Sequence, residues 1–198
     1  MKVDYKDEFI KIYNENIKRE GSDKLLEWIL ASDFFKAPAS TKFHSAFEGG
    51  LVEHSVKAYK RFLKNIKDEF GDDYQEKISD ESIAIIGLLH DVCKIDFYKV
   101  ELRNKKDENG NWIQVPYYTV EDKLPYGHGE KSVYILSGFM RLSREEAMAI
   151  NWHMGGFDSR VQGGSYSMSV AFKNYPLALI FHVSDIETTY LDEDKGDN

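Results

Sequence analysis

Apolar residues recur at helical spacing from the start of the chain. Phe9, Ile12, Tyr13 and Ile17 fall three or four apart, which predicts a helix over about 5–20 with Gly21 as its stop. Ser22 or Asp23 then caps a second helix to about residue 34, carrying Leu25, Leu26, Ile29 and Leu30, and Pro38 ends that stretch. Between 47 and 70, Val52, Val56, Tyr59, Leu63 and Ile66 line one face while Lys57, Lys60, Arg61, Lys64 and Lys67 gather on the other. This predicts one long amphipathic helix with His54 in its first two turns. Its basic side reads as a solvated face in preference to a surface for a polyanion.

The next segment has a different character. Ser79 or Asp80 caps a run, Ile83 to Leu89, that is apolar all round, so the helix it forms should be central and buried. His90 and Asp91 emerge from its end. Burying a neighbouring imidazole and carboxylate is costly without strong partners, and ligation of a cation supplies the charge and coordination that burial removes. Asp185 ends a second apolar run, LALIFHVSD, and also wants a partner. His54, His128 and His153 are weak signals when each is taken alone.

Periodicity changes again at 97–120. Phe97, Tyr98 and Val100, then Trp112, Ile113, Val115, Tyr117 and Tyr118, flank the turn-prone run 107–111, which predicts a β-hairpin. Helices resume at about 128–140. Ser143 with Glu146 forms a capping box for a helix that reaches His153. Residues 155–167 read as a glycine-rich loop, and a last helix starting near 170 or 176 runs to about 191 with His182 and Asp185 on one face. The acidic tail, with Asp192, Glu193 and Asp194, reads as a solvated end. The fold class is therefore all-α, mainly helical, with one inserted hairpin.

Composition narrows the classes without choosing among them. At 198 residues, 42% hydrophobic and 30% charged, the chain fits one globular domain. It has no internal repeat and no linker that would divide it. No run is long and apolar enough for a membrane span, and the N-terminus lacks the apolar core of a signal peptide, so a cytoplasmic location is expected. The lone Cys93 excludes an intramolecular disulfide and a cysteine-rich zinc module. A net charge of -8 argues against broad binding to duplex nucleic acid, but not against a phosphate-bearing substrate, because bound cations would offset local acidity.

Taken in order, APASTKFHSAFEGGLVEHS, LLHDVCKI, YGHGEKS, NWHMGG and LIFHVSDIET resemble the HD superfamily of metal-dependent phosphohydrolases, in particular the HD domain of bacterial 3'-to-5' exoribonucleases. The resemblance covers about 34–187, apart from the hairpin at 97–120, which looks like an insertion. It implies a single HD domain over 1–198, with N-terminal helices at 1–33. These read as helix, not as the oligonucleotide-binding barrel that precedes the exoribonuclease domain. Met154 stands where such proteins often have a second histidine, and Cys93 where they often have glycine.

The resemblance further implies a metal site of His54, His90, Asp91, His128, His153 and Asp185. Asp91 would bridge two divalent ions, with His54, His90 and Asp185 on one and His128 and His153 on the other. A water activated to hydroxide between them would attack a phosphomonoester or phosphodiester of a nucleotide or short single-stranded nucleic acid. Nitrogen-rich ligands favour Mn, Fe, Co, Ni or Zn over Mg. Lys94 is the candidate phosphate contact and transition-state cation, against a reading as a helix-end lysine facing the dipole. His182 is placed to protonate a leaving group or bind phosphate, and His44 to line the pocket. Two other classes stay open: a di-iron oxygenase of the HD type, and a non-catalytic nucleotide-binding module. The hairpin reads as a lid that stacks bases, a homo-oligomer contact or a packed insertion.

Overall fold

The computed structural model describes residues 4–43 and 45–193. The protein is mainly helical, with one two-stranded antiparallel sheet among the described residues. Helix α1 spans Tyr5–Asn16; the Asp4 carboxylate caps it, accepting from the backbone N–H of Lys6 and Asp7 at 3.0 and 3.2 Å. It ends sooner than the apolar spacing predicts. Ile17 is extended and buried, and the N–H groups of Lys18 and Arg19 donate to Glu81 Oε1 at 2.7 and 2.8 Å instead of continuing the helix. Gly21, at φ 88°, starts α2, Ser22–Ala31, and does not stop α1.

Helix α3 spans Gly50–Phe70 and α4 spans Asp80–Leu89, the latter capped by Ser79, whose Oγ accepts from Ser82 N. As its uniform apolarity demands, α4 is central: Ile83, Ile85, Ile86, Leu88 and Leu89 are fully buried among α1, α3 and Arg144–Trp152, which forms α6. Gly87 decides how close α3 can come. A Cβ there would lie 2.6 Å from Tyr59 Cα, so any side chain would push the two helices apart.

Helix α5 spans His128–Ser137, and its Gly129 does the same against the end of α6, where a Cβ would lie 2.3 Å from Asn151 O. The Ser143–Glu146 capping box is present: Ser143 Oγ accepts from Glu146 N, and Glu146 Oε2 accepts from Ser143 N at 2.7 Å. The region 155–167, expected as loop, contains a 3-10 turn at Gly155–Phe157 and a one-turn helix α7 at Ser159–Gln162. The last predicted helix is two: α8, Ser167–Asn174, and α9, Pro176–Glu187, broken at Tyr175 with Pro176 opening the second.

Strands β1, Tyr98–Lys106, and β2, Trp112–Val120, pair in register from Tyr98 with Val120 to Lys106 with Trp112. The Asp107 carboxylate holds the turn by accepting from the N–H of Asn109 and Asn111. The ribbon is largely exposed, Trp112 at 69% and Leu102 at 61%, so it stands out from the helices and is anchored near its base. There, the Tyr98 hydroxyl donates to the Ala39 carbonyl at 3.2 Å. No helix among the described residues is long and apolar enough to cross a membrane.

Candidate metal centre

The two close helix approaches converge on one point. Gly87 lets α3 bring His54 to His90, which follows the last residue of α4, and Gly129 lets α5 bring His128 to His153, which follows the last residue of α6. The structure thereby gathers His54, His90, Asp91, His128 and His153, and α9 adds Asp185. All but His128 and Asp185 are 2% exposed or less, so their charges and lone pairs are met by protein or by a cation, not by bulk water.

Asp91 is the hinge of the arrangement. Its Oδ1 faces His128 Nε2 at 2.8 Å and His153 Nε2 at 3.6 Å, while its Oδ2 faces His90 Nε2 at 3.5 Å and His54 Nε2 at 3.6 Å. Each carboxylate oxygen therefore serves one pair of imidazoles. Asp185 Oδ1 joins the second pair, 3.2 Å from His54 Nε2 and 3.8 Å from His90 Nε2. Lys94 Nζ donates to Asp91 Oδ2 at 2.6 Å. It does not continue α4: Val92–Lys94 is a separate 3-10 turn, so the side chain reaches Asp91 across that turn.

Hydrogen bonds on the far side of the rings fix which nitrogen points inward. Nδ1–H of His90 donates to the Gly87 carbonyl at 3.0 Å and that of His153 to the Ile150 carbonyl at 2.6 Å. Both rings therefore present Nε2 to the centre. His54 does the same by a route the sequence did not reveal, with Nδ1 2.5 Å from Glu193 Oε1, whose other oxygen accepts from Ser45 Oγ at 2.7 Å. The tail is accordingly not a solvated end as far as it is described. A π-helical turn at Thr188–Asp192, closed by Glu193 N donating to Thr188 O at 3.1 Å, carries Glu193 inward, and Asp192 pairs with Arg61. Asp194 lies outside the described residues.

The donor set fits divalent cations. Two Nε2 atoms, of His54 and His90, face each other at 3.1 Å, an arrangement that a shared proton or a cation makes favourable. His153 Nε2 is buried with no hydrogen-bond partner, and buried Asp185 Oδ1 has none unless His54 Nε2 carries a proton. A proton on His54 Nε2 answers the first tension and also reaches Asp185 Oδ1 at 3.2 Å, but it leaves His153 Nε2 unmet. His54, His90 and Asp185 offer ligand atoms within 4.8 Å of one another, as do His90, Asp91 and His153, and Asp91, Cys93 and His128. Electrostatics agree. Burial opposes a charged His54 ring, but the Asp185 and Glu193 carboxylates outweigh it and raise its pKa to about 10. Burial also opposes ionisation of Asp91, yet Lys94 and the surrounding histidines hold its pKa well below the carboxylate range.

The remaining expectations fall to the edge or outside. His182 is half-buried on α9; its Nδ1–H donates to the His153 carbonyl at 2.6 Å, and its ring stacks on Phe172. His44 lies outside the described residues. The basic side of α3 is paired within the fold, Lys57 with Glu53, Lys60 with Glu8, Arg61 with Asp192 and Lys64 with Asp68, as a solvated face would be. A cleft between the start of α2 and the end of α5 lies at the opposite end of α5 from His128. Its Arg19 is already shared between Glu81 and Glu146, which leaves it no charge to offer a ligand.

Comparison with known proteins adds a partial likeness. Over 59 residues the chain is 37% identical to the dihydroneopterin 2',3'-cyclic phosphate phosphodiesterase of Methanocaldococcus jannaschii. The match takes in 30% of this chain and 23% of the archaeal enzyme, so it is a likeness of a segment. No family model and no solved structure matches the chain.

Proposed function

We propose that this protein is a metal-dependent phosphohydrolase of the HD type. The reading rests above all on the Asp91 carboxylate, which turns one oxygen to His128 and His153 and the other to His54 and His90. That is the disposition a bridging ligand between two ions requires. In this reading His54, His90 and Asp185 hold one ion, and His128 and His153 the other. Divalent ions bound here lower the pKa of a coordinated water and offset charge on phosphoryl oxygens.

The chain's own groups do the rest. Backbone carbonyls and Glu193 hold the imidazoles of His54, His90 and His153 in the tautomer that ligates. Lys94 shares its charge between Asp91 and a phosphoryl oxygen of the substrate, stabilising the charge that builds there during transfer. His182, with Nδ1–H committed to His153 O, keeps Nε2 for a proton to the leaving group.

The substrate class is a phosphomonoester or phosphodiester of a nucleotide-like compound or a short single-stranded nucleic acid. The archaeal relative favours the diester, and a cyclic one first. The test is phosphate or nucleotide release by protein loaded with Mn, Fe, Co, Ni or Zn. The panel holds nucleotides, nucleoside 2',3'-cyclic phosphates and short single-stranded RNA. Turnover of a phosphoester that disappears in Asp91→Asn supports the reading. A metal-loaded protein inert on the whole panel counts against it, and oxygen uptake by the ferrous form alone would turn the assignment to a di-iron oxygenase. Tight nucleotide binding without turnover would make it a sensor.

A further inference from the structure

Cys93 has no place in the ligand pattern that the HD resemblance implies, yet its sulfur sits inside the centre. We propose that Cys93, as a thiolate, is a ligand of the ion on the His128 side of Asp91. That half of the site would then select a thiophilic divalent cation, such as zinc, cobalt or ferrous iron, over magnesium or manganese. The inference rests on the reading of the cluster as a metal centre.

The backbone fixes the sulfur where it is. After Asp91 the chain enters the 3-10 turn Val92–Lys94, and Cys93 N donates to Ser132 Oγ at 3.2 Å, pinning the turn to α5 one helical turn beyond His128. The residue is 2% exposed. Its Sγ lies 3.6 Å from both ring nitrogens of His128, so it favours neither lone pair, while His128 Nε2 is directed to Asp91.

A second observation points to the same spot. His153 Nε2 is buried without a partner and lies 3.6 Å from Asp91 Oδ1, the oxygen that His128 Nε2 faces at 2.8 Å. Asp91, Cys93 and His128 offer one oxygen, one sulfur and one nitrogen within 4.8 Å of one another, and His153 Nε2 approaches the same carboxylate. Such a donor set suits zinc, cobalt or iron, whereas magnesium and manganese prefer oxygen.

A cation supplies what the pocket lacks: the S–H bond breaks, its proton leaves to solvent and the sulfur lone pair goes to the ion. A glycine at this position would leave that half of the site to nitrogen and oxygen.

Cobalt titration of the intact protein tests this, read by near-ultraviolet absorption with cobalt content measured in parallel. The expected result is a thiolate-to-cobalt charge-transfer band in the wild type. Cys93→Ser should lose it while keeping an ion at His54, His90 and Asp185, with zinc affinity falling about tenfold or more and manganese affinity unchanged. Cobalt bound to the wild type with no such band overturns the role of Cys93 and leaves the metal centre standing. No cobalt bound overturns both. The wild-type spectrum decides between these whether or not the variant folds.

Discussion

His54 Nδ1 and Glu193 Oε1 meet at 2.5 Å across 139 residues of sequence, in a pocket that both share with Ser45. A carboxylate behind a ligating imidazole fixes its tautomer and raises its basicity, and removing such a partner costs about ten- to a hundredfold in metal affinity. Glu193→Gln should therefore weaken the ion on the His54 side by that amount, read by chelator competition. Wild-type affinity in the variant would show that Glu193 only fills space.

The raised pKa of His54 makes metal binding depend on pH. An ion must displace the Nε2 proton of the charged ring, which faces Asp185 and which the Asp185 and Glu193 carboxylates stabilise, raising the pKa to about 10, so affinity rises with pH throughout the neutral range. Each displaced proton adds about tenfold per pH unit. Calorimetry in buffers of different ionisation enthalpy should show proton release on binding; release of none would contradict this. In the metal-free protein the sign is opposite. The charged ring's contribution to stability is complete below its unfolded pKa of 6.5 and disappears as the pH rises through about 10.

Lys94 is 8% exposed and bound to Asp91, so its charge lies beside the proposed metal site and not in solvent. Lys94→Gln should lower kcat by about a hundredfold or more while leaving metal content intact. Equal kcat in the two proteins would return Lys94 to a structural role.

A stability test stands apart from the chemistry. Glu146, fully buried, accepts from Arg19, Ser82 and the Ser143 backbone. Arg19→Ala strands that carboxylate and should cost about 3 kcal/mol in urea unfolding. A loss under about 1 kcal/mol would mean that the serine and backbone donors suffice.

The exposed hairpin invites a deletion. If it covers substrate, replacing residues 100–118 by a short turn raises KM and leaves metal content unchanged. Unchanged KM would leave it without a part in binding.

How much of this the sequence disclosed depends on distance along the chain. The burial of His90 and Asp91 was legible because an all-apolar helix leads directly into the two polar residues. The hairpin was legible from its alternation and its turn residues. Gly87 and Gly129 could be read as glycines, but the Tyr59 and Asn151 backbones that need their space belong to other helices. The end of α1 was misread because a carboxylate from Glu81, far along the chain, takes the N–H groups that would have extended it. Glu193 was hidden more deeply: an acidic tail looks solvated until a π-helical turn reverses it into the core.

The most direct test of the central claim is metal analysis of the purified protein and of Asp91→Ala. Two divalent ions per chain in the wild type, with both lost or sharply reduced in the variant, is the predicted result. Wild-type protein without stoichiometric metal after incubation with zinc, cobalt and manganese, or an Asp91→Ala variant that keeps both ions, would contradict it.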